Sequence, residues 1–286
     1  MNTMTMMMNT IANTFKKSVK KNLFRTGLAL ALATGSLAGS ADMAQAQTRK
    51  SVFQTGEELT YKVKFGFIKL GTVSIKTGGP ATGYGPNKVT AKMQFATADV
   101  PFLDAKSLVT DVIDTSAMYL VHFDQKGQEG DKKQEKTMTY DKAKKTLTYN
   151  DATTKNKVTN NIEPFNDALT LVFNMRTWSA SGKRYSFAMR SKDGENNVVC
   201  NFTNKISNQE VEAWDDKKIR TRVVQGQANM GEGAPLGANG KFTAYITDDA
   251  AAIPVKIDMT IAIGSITLEL VKVKRANWNV DMAVAK

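Results

Sequence analysis

The 286-residue chain holds one cysteine and one histidine. Cys200 therefore has no partner for an internal disulfide. One His and one Cys fall short of a His/Cys zinc site. A Ser-His-Asp or Cys-His system would have to be built on His122 or Cys200, and neither stands in a nucleophile-elbow context. The chain also lacks a Walker loop and a dinucleotide fingerprint after a strand. No fixed-period repeat is visible, and no Pro/Ser linker divides the sequence. No catalytic residues, cofactor or metal are accordingly expected.

What is present begins with an export pattern. Lys16, Lys17, Lys20, Lys21 and Arg25 precede an uncharged stretch, Thr26 to Ala41, rich in Leu, Ala and Gly. Ala44-Gln45-Ala46 then gives the small-x-small pattern cut by a signal peptidase, leaving Gln47 as first residue. The uncharged stretch is shorter than the roughly 20 residues of a membrane span and is broken by Gly27, Gly35 and Gly39. With no cysteine near the cut, lipid anchoring is not expected. Residues 1–46 are read as a signal peptide, 47–286 as one β-rich periplasmic domain. Loss of the signal takes Lys+Arg against Asp+Glu from 39 against 27 to 34 against 26, so net charge falls from +12 to +8. A Lys-coated sheet with protected edges accounts for that charge, and nucleic acid is not an expected partner.

The first segment after the signal, Gly56 to Thr77, sets the architecture. Leu59, Tyr61, Val63, Phe65 and Phe67 alternate with Thr60, Lys62, Lys64 and Gly66, the period of a strand with one dry face. Val73 and Ile75 follow a Gly66-to-Gly71 corner, giving a hairpin. Short alternating runs recur at 88–97, 107–114, 118–125, 133–140 and 146–150, separated by polar turns. Asp99 to Lys106 reads as a bend against the core. Beyond residue 184, strands are expected at 184–190, 196–206, 210–225 and 241–247, with a Gly-rich loop at 227–240. In the last hairpin, a two-residue turn at Gly264-Ser265 would pair Ile263 with Ile266, Ile261 with Leu268 and Met259 with Leu270. Only Glu163 to Trp178 departs from period two. Phe165, Leu169, Val172 and Phe173 fall at helical spacing, with Pro164 in the first turn and Asp167 near the positive pole. The fold expected is mainly β, a curved antiparallel sheet or half-barrel closed by one amphipathic helix.

Without a catalytic constellation, the apolar faces are the remaining candidates. Tyr61, Phe65, Phe67, Phe173 and Arg176 are the candidate ligand-binding residues, as inner-face aromatics and a helix cation of a sheet that can enclose a ligand. The expected partner is a lipid, an amphipathic molecule or an envelope glycan, bound by a monomer that does not span the membrane. Two alternatives remain open. One is an envelope scaffold recognising a protein or glycan through a basic edge that includes Lys132, Lys133 and Lys136. The other is a carboxylate-dependent glycan hydrolase, for which Asp248-Asp249 and Asp215-Asp216 are the densest acidic pairs, although both sit where turns are expected.

Three stretches carry a family resemblance: GEELTYKVKFGFIKLGTVSI, FNDALTLVFNMR and FTAYITDDAAAIPVKIDMTIAIGSITLELVK. They resemble the domain-of-unknown-function 3108 family of exported bacterial proteins. The matching positions are Gly56, Glu57, Leu59 and Tyr61; Asp167, Leu169 and Arg176; and Asp249, Pro254, Val255, Gly264 and Ser265. The resemblance implies a Gram-negative envelope setting and no established activity. The shape it implies is similar, by fold analogy only, to that of periplasmic lipoprotein carriers.

Overall fold

The structure, a computed structural model, describes residues 49–98, 104–191, 194–215, 217–229, 239–261 and 264–284. The first half of the chain forms strands β1 (Glu58–Phe65), β2 (Ile68–Pro80), β3 (Lys88–Thr97), β4 (Ala105–Asp114), β5 (Tyr119–Glu129), β6 (Lys132–Asp141), β7 (Thr146–Asp151) and β8 (Lys157–Thr159). A helix, α1 (Ala168–Trp178), precedes β9 (Arg184–Ser191), β10 (Gly194–Val211), β11 (Lys217–Asn229), β12 (Gly240–Thr247), β13 (Pro254–Ile261) and β14 (Gly264–Lys274). All fourteen strands form one antiparallel sheet in the order β8 to β1, then β14 to β9. Every pair but one joins strands consecutive in sequence. The exception, β1 against β14, fuses two meanders into a single curved sheet, and its two edges, β8 and β9, are the strands that flank α1.

The alternation in β1 holds for three residues and then stops. Leu59, Tyr61 and Val63 are buried, Phe65 is half-buried and Phe67 is 85% exposed. Gly66 and Phe67 form the turn itself, with Gly66 at φ +56°, a conformation that favours glycine. Phe65 then faces Ile68, so the corner is tighter than a Gly66-to-Gly71 bend. A register shift after Val63 absorbs the extra residue.

The last hairpin exists where expected, but its register differs. Met259 pairs with Ile266, Ile257 with Leu268 and Ile261 with Gly264, so the connection falls at residues 262–263, outside the described residues. The observed register sets Lys256 opposite Glu269 and Asp258 opposite Thr267, whose Oγ1 donates to Asp258 Oδ1 at 2.8 Å. Cross-strand polar pairs of this kind outweigh the turn preference of a Gly-Ser dipeptide. Gly264 serves instead as a point of close approach, since a Cβ there would lie 2.9 Å from Cζ of Phe65. The run 210–225 is divided next to the turn expected at Asp215-Asp216. β10 continues to Val211, a 3₁₀ turn covers Glu212–Trp214, and β11 opens at Lys217. The bend expected at 99–106 and most of the loop at 227–240 lie outside the described residues.

The helix begins later than the apolar spacing suggests. Asp167 is its N-cap, and its side chain accepts from the Thr170 N–H at 2.9 Å. Pro164 therefore precedes the helix. The backbone before Asp167 is committed to strands on both wings of the sheet. Leu120 N–H donates to Phe165 O at 2.9 Å, while Asn166 donates to Ala188 O at 2.8 Å and accepts from Arg190 at 3.1 Å. Leu169, Leu171, Phe173 and Met175 bury an apolar surface against the sheet, and Phe173 stacks on Phe53 at 4.6 Å. The polar side chains of α1 also meet protein rather than water. Asn174 Nδ2 contacts Met118 O, Asn166 Oδ1 and Thr170 O at 3.2, 2.8 and 3.2 Å.

Arg176 completes this attachment. Its guanidinium grips Glu57 through two bonds of 2.6 and 2.9 Å, and it donates to the Ala251 and Ala252 carbonyls at 2.9 and 3.1 Å. Arg275 bonds the same Glu57 carboxylate and the Ser51 carbonyl. Glu57, Arg176 and Arg275 are all buried. Removing one member leaves an uncompensated charge in the interior, a loss of about 3–5 kcal/mol for a buried pair. Urea unfolding should show Glu57→Gln destabilised by that amount, while Glu58→Gln, which disturbs only surface pairs with Lys76 and Lys274, leaves the midpoint unmoved. Equal midpoints for the two variants would remove the bridge from this role.

Candidate functional site

The structure separates the five candidate ligand-binding residues. Tyr61, Phe173 and Arg176 lie together in the interior, with Arg176 Cζ 5.7 Å from the Phe173 ring centre. The Tyr61 hydroxyl is buried without a hydrogen-bond partner, and burial pushes its pKa up. Phe65 sits half-buried over Gly264, and Phe67 stands at the tip of the first hairpin, away from the other four.

A second interior group was not among these candidates. Asp111, on β4, is fully buried, and neither of its oxygens has a hydrogen-bond partner. It faces the Asp167 cap and the Thr170 hydroxyl, whose Oγ1 is also unpaired. Burial first, and the Asp167 charge second, hold the Asp111 carboxyl well above the usual carboxylate range; the Thr170 hydroxyl works weakly the other way. A proton on Asp111 adds an O–H donor beside the Thr170 hydroxyl, the only other one in the group, and lets the two carboxyls sit together. The signal was present in the sequence as an acidic residue between Val109 and Ile113, on the inward phase of an alternating strand.

The remaining chemical candidates are held in structural contacts. His122 Nδ1 bonds Thr139 Oγ1 at 2.8 Å, and burial lowers its pKa. Cys200 is buried and its thiol is pushed up to about 12, the state of an inert core residue. Asp248 pairs with Arg220 and Arg222. Asp249 accepts from Thr247, Ala252 and Trp278, which fixes the turn before β13. Asp215 occupies a left-handed turn position at φ 53°. The lysines at the β6–β7 turn are engaged as well: Lys144 with Asp141, Lys145 with Glu163, and Lys142 over the Tyr119 ring.

A solvent-open groove remains on the sheet face that carries Leu108. Its volume is about 290 Å³, near the lower end of small-molecule sites. Two cross-strand rows build it. Gln94 faces Leu108, which faces Lys126; Lys106 faces Gln128, which faces Lys133. Phe95, Ser107 and Gly127 lie in the row between. The middle row presents backbone to this face, because its side chains point to the other side of the sheet, where a Cβ on Gly127 would lie 3.5 Å from Ser107 Oγ. The wall is mostly carbon, from Leu108 and the aliphatic stems of the lysines, while the Phe95 ring packs against the core. No ion pair among the described residues holds Lys106, Lys126 or Lys133. Of the basic edge expected at Lys132, Lys133 and Lys136, Lys133 is the member that lines this groove.

A family model described as protein of unknown function (DUF3108) matches residues 60–271, nearly the whole sheet. The chain belongs to that family. The DUF3108 chain matches no curated protein. Among solved structures, it is similar to a β-barrel-like protein of the domain of unknown function DUF1849 from Brucella abortus. There the TM-score is 0.53 at 12% identity, covering 79% of this chain and 100% of that one. A second, the Mycobacterium tuberculosis lipoprotein LppX, aligns over 85% of this chain and 100% of its own at 12% identity, with a TM-score of only 0.25. The first likeness supports the barrel-like fold of the DUF3108 chain; the second is too distant to bear on it.

The Asp111–Asp167 arrangement gives stability a pH dependence of known sign. A carboxyl whose folded pKa is raised keeps its proton while the unfolded chain releases it. Stability is therefore lost as pH rises from the ordinary Asp range near 4 toward the raised value, by up to about 1.4 kcal/mol per pH unit. Asp111→Asn, which supplies a fixed N–H donor, should abolish this slope. Urea unfolding of both proteins between about pH 4 and 8 should show wild type losing ground steadily to the variant. A difference that stays flat with pH would mean Asp111 titrates normally.

Proposed function

We propose that this DUF3108 protein is an exported, non-catalytic binding protein of the bacterial periplasm that takes up an amphipathic envelope molecule. Residues 1–46 act as the signal peptide in this reading. The observation that carries it is the groove across β3 to β6, which joins a carbon-lined wall to three exposed lysines that no ion pair among the described residues holds. Such a surface suits a molecule with an apolar body and a polar or charged end. The acidic pairs expected for a hydrolase support the same reading, since Asp248 and Asp249 are held in turn and ion-pair contacts and Asp215 occupies a left-handed turn position.

Titration with 1-anilinonaphthalene-8-sulfonate, an amphipathic anion, tests the groove. Wild type should bind it saturably, and Leu108→Asp, which places a charge in the wall, should weaken binding at least about tenfold. Non-saturable binding, or binding indifferent to Leu108→Asp, would overturn the assignment. Export has its own measurement: protein recovered from a periplasmic extract should begin at Gln47, and an uncut chain retained in the cell would exclude the proposed route.

A further inference from the structure

The register places two features of different kind at one end of the sheet. The β1–β2 turn lies at this end, because Phe65 pairs with Ile68 and Gly71 with Thr97 at the close of β3. The start of β4, the end of β5 and the start of β6 lie there too, through Ala96 with Lys106, Lys106 with Gln128 and Gln128 with Lys133. The tip of the turn is Phe67, a large aromatic side chain presented almost entirely to solvent. Beside it, Lys69 is exposed, and Lys106, Lys126 and Lys133 are exposed along the same end. On the far wing, Lys241 lies at this end as well, next to the Ala228–Gly240 pair.

The ion pairs sort differently. Lys76–Glu58, Lys88–Asp114, Lys145–Glu163 and Arg220–Asp248 all lie toward the opposite end, where β1 begins and β4 and β12 finish. None of the five lysines named above has such a partner among the described residues. Acids do occur nearby: Lys64 pairs with Glu269, Arg190 with Glu195, and Asp104, Asp131 and Glu135 are exposed. None of these forms an ion pair with the five ammoniums, although Glu135 stands directly opposite Lys126 across the β5–β6 pair. One exposed aromatic side chain alone is ordinary on a protein surface. An aromatic at a hairpin tip, flanked by ammoniums that form no ion pair among the described residues, is the pattern of an interfacial anchor. The ring enters the headgroup layer while the lysines stay above it, attracted by anionic lipid.

We infer that this end of the sheet docks on an anionic bilayer surface, with Phe67 inserted and Lys69, Lys106, Lys126, Lys133 and Lys241 facing the headgroups. Docking does not require a molecule in the groove, so it stands apart from the binding role proposed above.

Flotation of the purified protein with vesicles tests it. The protein should float with phosphatidylglycerol/phosphatidylcholine vesicles, at least tenfold less with phosphatidylcholine alone, and should dissociate as salt is raised. Phe67→Ser should cut partitioning about tenfold. The triple variant Lys69→Glu, Lys106→Glu, Lys133→Glu should cut it about a hundredfold, from roughly fivefold per lysine near a charged membrane. All four side chains are exposed, so unchanged melting curves will show that the variants are folded. Absence of flotation, equal binding to neutral vesicles, or binding unaltered by Phe67→Ser would each overturn the inference. Saturable sulfonate binding by a protein that ignores vesicles would overturn it while leaving the groove assignment intact.

Discussion

The buried bridge between Glu57 and Arg176 is the constraint on which the rest of the molecule depends. Glu57 immediately precedes β1, and Arg176 stands in the last turn of α1, so one bidentate contact fixes the helix to the strand that fuses the two meanders. Desolvating both charges costs more than an apolar pair of the same size would. What the bridge contributes is position. An apolar helix could rotate or slide within a curved apolar sheet at little cost. A guanidinium bound to one carboxylate and two carbonyls has a single satisfactory place. Arg275 reaches the same carboxylate from just beyond β14, so both strands of the nonlocal pair and the helix meet at one group.

That arrangement explains how an open sheet behaves as a barrel. The wings ending in β8 and β9 are not hydrogen-bonded to each other in the sheet order. They are strapped instead by Phe165 and Asn166, whose backbones bond β5 and β9, before the chain turns inward at the Asp167 cap. Asp111 and Thr170 face the cap, which brings β4 to the start of the helix as Glu57 brings β1 to its end. The helix is thus held at both termini by polar contacts and along its length by apolar ones.

Much of this was legible in advance, and the exceptions have physical causes. Leu59, Tyr61 and Val63 showed the inner face of β1 because burial on one side of a strand imposes period two. The same rule failed at Phe67, since a turn residue belongs to neither face and alternation cannot reveal where a strand stops. The Gly264-Ser265 pair carried a turn signal that the neighbouring polar pairs overruled. Local propensity amounts to fractions of a kcal/mol, and several cross-strand contacts together exceed it. Helical spacing located α1 but could not place its start, because Phe165 and Asn166 are held by strands about 20 or more residues distant. Glu57 and Arg176 appeared as family positions with no visible connection, being separated by 119 residues. Nothing in periodicity foretold the groove either. It arises between two cross-strand rows contributed by four strands.

The placement of the aromatic and basic residues shifts where recognition can occur. Tyr61, Phe173 and Arg176 hold the interior together, so a ligand reaching them would have to displace the contacts that keep the helix in place. Recognition at the groove makes no such demand: its wall is already open, and its lysines have no internal partner to leave. The division between the two ends of the sheet follows the same logic. Where β1 begins, several lysines and arginines are paired with carboxylates, and that end holds the helix and the buried bridge. At the turn end the side chains that stabilise least are the ones left facing outward. A surface whose charges and aromatic ring contribute little to folding can be given over to binding at little cost to the fold that presents it.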